Sequence, residues 1–263
     1  MPPVAERPWV FITGASSGLG QALARRYVEQ GWRVAMVARR VSVLTAWAEA
    51  QGWPADQWLA LGADVRHAAE LRAAADASMD QWGVPAVVIA NAGISVGIDL
   101  SFEEDLSVLD DLLATNVSGL AATFQPFIEP LKRCRRGTLV GVASVAAMRG
   151  LPGHAGYCAS KAAVVQICET LRGELGPFGV RVVTLAPGYV ATPLTSENDY
   201  PMPFLMTPEA FADRAVRAIG RGVRFRVIPW QMGIVAWVLR WLPRWLFDAA
   251  VGAQTHRKKR RRQ

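Results

Sequence analysis

Short apolar runs alternate with longer amphipathic stretches along most of this chain. Trp9-Val-Phe-Ile12 predicts a strand that runs directly into Thr13-Gly-Ala-Ser-Ser-Gly-Leu-Gly20. Residues 21–30 (QALARRYVEQ) take helical spacing, Gly31 closes them, and Arg33–Ala38 is a second strand of buried type. The alternation then predicts helices over Val41–Glu49, His67–Trp82, Leu106–Phe127 and Ala155–Leu175. Strands are expected at Trp58–Leu61, Ala86–Ala90, Thr138–Ala143, Val180–Leu185 and Phe225–Pro229, with a further helix starting at the N-cap Thr207. Strands alternating with helices imply a doubly wound parallel sheet, a Rossmann-like α/β fold covered on both faces, as a single domain over residues 1–229.

The first strand–turn–helix–strand unit carries the first chemical signal. Its glycine turn (Gly14, Ser16, Ser17, Gly18, Leu19, Gly20) faces the carboxyl end of the first strand. Glycines there let backbone N–H groups approach a pyrophosphate, and the helix N-terminus favours its charge. The second strand ends in Ala38-Arg39-Arg40 with no acid to bond a ribose 2′-hydroxyl. Two guanidiniums suit a 2′-phosphate, so NADP(H) is the expected cofactor; the alternative is a pair of solvated arginines at a helix start.

The second signal runs from Ser144 to Lys161. Tyr157 and Lys161 are four residues apart on an expected helix, and so share a face. An ammonium beside a phenol favours the phenolate and should draw the tyrosine pKa down from about 10, making it a general acid/base. Ser144 could hold a substrate oxygen against the same phenol. A Tyr-x-x-x-Lys spacing by itself also occurs on many exposed helices.

Half the residues are hydrophobic, ample for one large core. The formal charge of +7 is misleading, because Arg257–Arg262 (RKKRRR) supplies six of it and residues 1–256 sum to +1. That argues against a nucleic-acid partner. Cys134, Cys158 and Cys168 lack metal-ligand spacing and are expected as buried thiols in a reducing compartment, with no metal site. No export signal is expected, and a cytoplasmic location follows from these signs.

Taken together, these motifs resemble the short-chain dehydrogenase/reductase family. The matching residues are the glycine turn, Asp64-Val65, Asn91-Ala92-Gly93, Asn116, Ser144, Tyr157-x-x-x-Lys161 and Pro187-Gly188-Tyr-Val-Ala-Thr192, in the family's order over residues 8–195. The resemblance implies reduction of a carbonyl, or the reverse, with Asn116, Ser144, Tyr157 and Lys161 as the catalytic set. Tyr157 would protonate the carbonyl oxygen, Ser144 would orient it, and Lys161 would hold the nicotinamide ribose. Asn116 would hold a water relaying protons to Lys161. Asp64 and Val65 would lie by the adenine, and Asn91, Ala92 and Gly93 would line the cofactor floor. Pro187, Gly188, Val190 and Thr192 would flank the nicotinamide, with Thr192 on its carboxamide. Residues 193–213 would form the substrate lid, where Pro201, Met202, Phe204, Leu205 and Met206 either line an apolar pocket or pack on the body. His154 either faces substrate or is a loop histidine without a role. A soluble, promiscuous small-carbonyl reductase and a non-catalytic NADP(H)-binding scaffold are the alternatives; an unbroken Ser–Tyr–Lys set argues against the second.

Beyond Pro229 the pattern changes. Residues 230–255 form an apolar, tryptophan-rich extension, and the basic tail 256–263 is expected to be disordered. Trp230, Trp237, Trp241 and Trp245 fall within about 80° on a helical wheel. Arg240, Pro243 and Arg244 interrupt the run, so two short helices at a membrane interface fit better than a span. The basic tail over 257–262 would add attraction to anionic lipid. A subunit interface is the alternative, and a homo-oligomer is expected. An apolar lid and a membrane-seeking extension motivate a lipid-like ketone, as in the family's membrane-associated lipid-ketone reductases.

Overall fold

A computed structural model describes residues 7–196, 198 and 201–251. Seven parallel strands form one sheet in the order β3-β2-β1-β4-β5-β6-β7. They are β1 Trp9–Thr13, β2 Arg33–Ala38, β3 Trp58–Gly62, β4 Val87–Ala90, β5 Thr138–Val142, β6 Arg181–Pro187 and β7 Phe225–Ile228. The helices are α1 Gly18–Glu29, α2 Val41–Ala50, α3 Ala68–Trp82, α4 Asp105–Leu113, α5 Gly119–Cys134, α6 Ala155–Leu175, α7 Pro208–Gly220, α8 Trp230–Trp241 and α9 Arg244–Val251. The expected Rossmann-like sheet is therefore present.

All five residues of β1 are buried, because the sheet is covered on both sides. Val10 and Ile12 point into a layer shared with Leu23 of α1, Leu44 of α2 and Phe211 of α7. Trp9 and Phe11 point the other way, towards Leu71 of α3, Phe127 of α5 and Val164 of α6. Phe11 and Phe127 pack with ring centroids 4.9 Å apart. Full burial of a side chain of this kind contributes about 1.5–3 kcal/mol. Arg26 of α1 pairs with Asp213 of α7 at 2.7 Å, which closes the first layer at its rim. The strand order reverses direction between β1 and β4, and this crevice at the strands' carboxyl ends is where ligands bind in such sheets.

Two expectations need correction. The helix expected over Leu106–Phe127 is split by a π-helical turn, Ala114–Ser118, and continues past Phe127 to Cys134. Pro126 and Pro130 lie inside α5, yet buried Leu120, Phe124, Phe127 and Leu131 along one face outweigh the lost backbone bonds. The helix stops only where Arg135 turns left-handed at φ 52°. Because Cys134 is the last helical residue there, it is exposed; Cys158 and Cys168 are buried.

The extension beyond β7 does form two short helices, α8 and α9. The basic tail over 256–263, residues 252–255 of the extension and positions 197, 199 and 200 of the expected lid lie outside the described residues.

Candidate active site

The carboxyl ends of β1, β2, β4, β5 and β6 open onto a cleft of about 690 Å³. Gly14, Ser16, Ser17, Gly18 and Leu19 line one side of it. Gly20 does not, although the glycine turn was expected to face ligand throughout. It lies beneath the turn, where an added Cβ would come within 2.8 Å of Ala15 Cα, so its role is close packing of α1. Asn91 braces the same turn, its side-chain amide donating to Thr13 O at 3.0 Å and Gly14 O at 3.2 Å. Ala92 and Gly93 continue the lining from the end of β4.

Arg39 and Arg40 sit at the end of β2 and line the cleft. Both are exposed, and neither forms an ion pair among the described residues. Asp64, the acid whose carboxyl feels the charge of Arg39, is already held by Arg66 through contacts of 2.8–3.1 Å. The Arg66 hydrogen bonds hold its carboxyl down at about 2, with a smaller contribution from the charge of Arg39. The donor set at this end of the cleft is cationic and unpaired, which fits a 2′-phosphate.

Opposite, Ser144 follows β5 and caps a 3₁₀ turn (Val145–Ala147), accepting from Ala146 N–H at 3.1 Å. Its hydroxyl is also hydrogen-bonded to Tyr157, one turn into α6. Lys161 lies one turn further along, buried, donating to Val142 O at 2.9 Å, with Nζ 5.9 Å from the Tyr157 ring centroid. The expected lowering of the Tyr157 pKa is not what this arrangement produces. Burial raises it above the ordinary tyrosine value, and the Ser144 hydrogen bond opposes that rise. Burial acts on Lys161 in the opposite sense, bringing it down to about 8. At neutral pH the phenol is held in its acid form.

Asn116 sits in the π turn and is buried behind the cleft rather than lining it. Its Oδ1 accepts from Ile94 N–H at 2.8 Å, while Nδ2 donates to Ile94 O at 3.0 Å and Ser160 Oγ at 2.9 Å. Gly93 separates it from Lys161: a methyl on Gly93 would lie 3.1 Å from Asn116 Oδ1 and 3.3 Å from Lys161 Nζ. The widened turn thus brings an amide from α4–α5 to the flank of a lysine on α6.

Pro187, Gly188, Val190 and Thr192 line the third side, and Asp64 and Val65 line the cleft beside Arg39 and Arg40. An added Cβ on Gly18 would meet Thr192 Cβ at 3.2 Å, so the segment after β6 folds back onto the glycine turn. The lid's apolar cluster is not in the lining. Met206 pairs with Val190 and packs on the core, while Phe204 and Leu205 are exposed. Leu194 and Thr195 face the cleft instead. His154 is buried at the start of α6, its backbone O accepting from Cys158 N–H at 2.8 Å, and stands outside the lining. Sequence reasoning missed Arg66, Asp111 and Thr115, which also line the cleft. Arg66 follows directly on Asp64-Val65, and Asp111 stands four residues before Thr115 on one helical face.

A family model described as short chain dehydrogenase matches residues 8–201. An uncharacterized oxidoreductase of Myxococcus xanthus is 37% identical, covering 91% of this chain and 94% of that protein. The 11-beta-hydroxysteroid dehydrogenase A of Sesamum indicum is 32% identical over 92% of this chain and 76% of its own. Among solved structures, a short chain dehydrogenase from Burkholderia cenocepacia in complex with NADP superimposes with a TM-score of 0.80 at 24% identity. It covers 94% of this chain and 98% of its own.

Proposed function

The chain belongs to the short chain dehydrogenase family, and we propose that it is an NADP(H)-dependent reductase of apolar, lipid-like ketones. The observation that carries the reading is one cleft holding Ser144, Tyr157 and Lys161 at one end and the unpaired Arg39 and Arg40 at the other. When bound, the reduced nicotinamide supplies the hydride. Ser144 orients the carbonyl oxygen, and Tyr157, kept protonated by burial, donates its proton to that oxygen as negative charge develops there. Lys161 and Asn116, gathered around Gly93, return a proton to Tyr157 through water. Lys161 also holds the nicotinamide ribose and Thr192 the carboxamide. Arg39, with Arg40, grips the 2′-phosphate.

The substrate class rests on the C-terminal helices. Arg149, in the loop between Ser144 and Tyr157, donates to Leu242 O at 3.2 Å and lies 4.5 Å over the Phe247 ring. Buried Met232 packs against Gly188. The extension is therefore clamped to the catalytic loop. Trp230, Trp237, Trp241 and Trp245 are 64%, 65%, 70% and 72% exposed, too open for core residues of a solvated surface. No described helix is long and apolar enough to cross a membrane. Tryptophan prefers the headgroup level, and the chain continues into RKKRRR, worth about 1 kcal/mol per basic residue near an anionic surface. We read α8 and α9 as a peripheral contact with the inner face of a membrane, from which an apolar ketone reaches the cleft. The relative named as a hydroxysteroid dehydrogenase supports an apolar secondary alcohol as the product.

NADPH oxidation measured against ketones graded by chain length, for wild type and Tyr157→Phe, tests the activity. Turnover that rises with chain length and vanishes in the variant is expected; substantial turnover in the variant rejects the mechanism. Co-sedimentation of Trp237→Ala/Trp241→Ala with anionic vesicles tests the membrane contact, where undiminished binding rejects it.

A further inference from the structure

The chain's basic character is not confined to its tail. Residues 207–246 carry seven arginines against two acids, Glu209 and Asp213, and Asp213 is taken by Arg26 of α1. Arg214 and Arg217 lie in α7 and Arg221 caps its C-terminus; at i, i+3 and i+7 the three share one side of the helix. With Arg226 of β7 and Trp230, the first residue of α8, they line a cavity of about 230 Å³ at the sheet's edge. Among the described residues none of the four arginines has a carboxylate partner.

Like charges three and four residues apart on a helix oppose folding by a few tenths of a kcal/mol per pair. The negative end of the α7 dipole offsets this for Arg217 in the last turn and Arg221 at the C-cap. It does not account for Arg214, which lies earlier in the helix, or for Arg226, which lies on a strand. Four guanidinium forks around one concavity are a donor set for an anion with several oxygens, each fork binding bidentately. The volume is below the roughly 300 Å³ at which sites for drug-sized ligands begin. It suits a phosphate and its ester linkage rather than a nucleotide.

We infer that this cavity binds a phosphomonoester, and that the phosphate is the headgroup of an anionic membrane lipid. The lipid source rests on the membrane contact proposed above. Trp230 lines the cavity and begins a row with Ile234, Trp237 and Trp241, spaced i, i+4, i+7 and i+11 along α8, all exposed. A phosphate held by the arginines thus lies beside side chains that settle at headgroup depth. The site would fix the orientation of the docked enzyme, which a non-specific basic tail cannot do.

The test is co-sedimentation of the full-length protein with phosphatidylcholine vesicles containing phosphatidylserine or, at matched surface charge, phosphatidic acid. Tighter binding to phosphatidic acid is expected, about tenfold weakened in Arg217→Gln/Arg221→Gln, with phosphatidylserine binding and NADPH oxidation retained. Equal binding to both lipids, or a double variant that keeps the preference, overturns the inference while leaving the membrane contact standing. Failure of the wild type to bind any vesicle overturns the lipid source together with that contact. Titration with glycerol 3-phosphate then separates the two: saturable binding lost in the double variant keeps the phosphate site, and no binding overturns it as well.

Discussion

Lys161 and Tyr157 stand one helical turn apart on α6, yet the ammonium is 5.9 Å from the phenol ring centroid and gives a hydrogen bond to Val142 O. Ser144, not Lys161, is the group that pulls the phenol's pKa down. Reduction should therefore hold its rate through neutral pH, since the acid form of Tyr157 dominates until above its ordinary value of about 10. Oxidation of the alcohol needs the phenolate and should rise with pH. Ser144→Ala removes the opposing hydrogen bond, so the rising limb of the oxidative pH profile should move to higher pH. A limb that stays in place in the variant would show that Ser144 does not tune the phenol.

Lys161 gives a stability prediction with a definite sign. Its folded pKa of about 8 is below the unfolded 10.5, so the unfolded chain binds more protons between these values. The Lys161 contribution to stability should rise as pH climbs from about 8 to about 10.5, and be lost again as pH falls through 8. The buried thiols of Cys158 and Cys168, pushed up by burial, work against it above about 9, so the wild type is compared with a Lys161 variant. The full swing is at most about 3 kcal/mol, from the shift itself. Lys161→Met should lack this rise. Denaturant midpoints at about pH 7 and about pH 10 for both proteins check it.

Arg39 lies at the end of β2 without an ion-pair partner among the described residues. Removing a charge-assisted, bidentate phosphate contact costs about tenfold or more in affinity. Arg39→Ala should weaken NADPH to that degree and leave NADH unchanged, as read by fluorescence titration. Equal losses for the two cofactors would reject Arg39 as the phosphate reader.

Asn116 satisfies both backbone groups of Ile94 from inside the π turn. Truncation leaves a part-buried donor and acceptor unpaired, at up to about 1–3 kcal/mol each. Asn116→Ala should unfold at lower denaturant and lose turnover. Asn116→Asp should keep the Ile94 N–H bond but not the one to Ile94 O, and recover only part of the stability. Full activity in Asn116→Ala would remove it from the proton path.

Much of the site was legible because its signals are local. A glycine turn at a strand end, two arginines after the next strand and a four-residue spacing on a helix each follow from chain neighbours. Arg66 was legible in the same way and was passed over. The arginine cavity was hidden by arithmetic: net charge over residues 1–256 is nearly zero, although seven arginines gather over 207–246. Only the packing of α7, β7 and α8 brings four of them around one space.

The sequence by itself determined the alternation of strands and helices, the parallel sheet and the choice of candidate site side chains, because these depend on periodicity and residue chemistry. Tertiary structure alone decided the π turn that delivers Asn116 and the passage of α5 through two prolines. It also decided the rise rather than fall of the Tyr157 pKa. The reason is common to all three: burial and long-range packing set dielectric, distance and backbone geometry, and none of these is encoded in the spacing of residues along the chain.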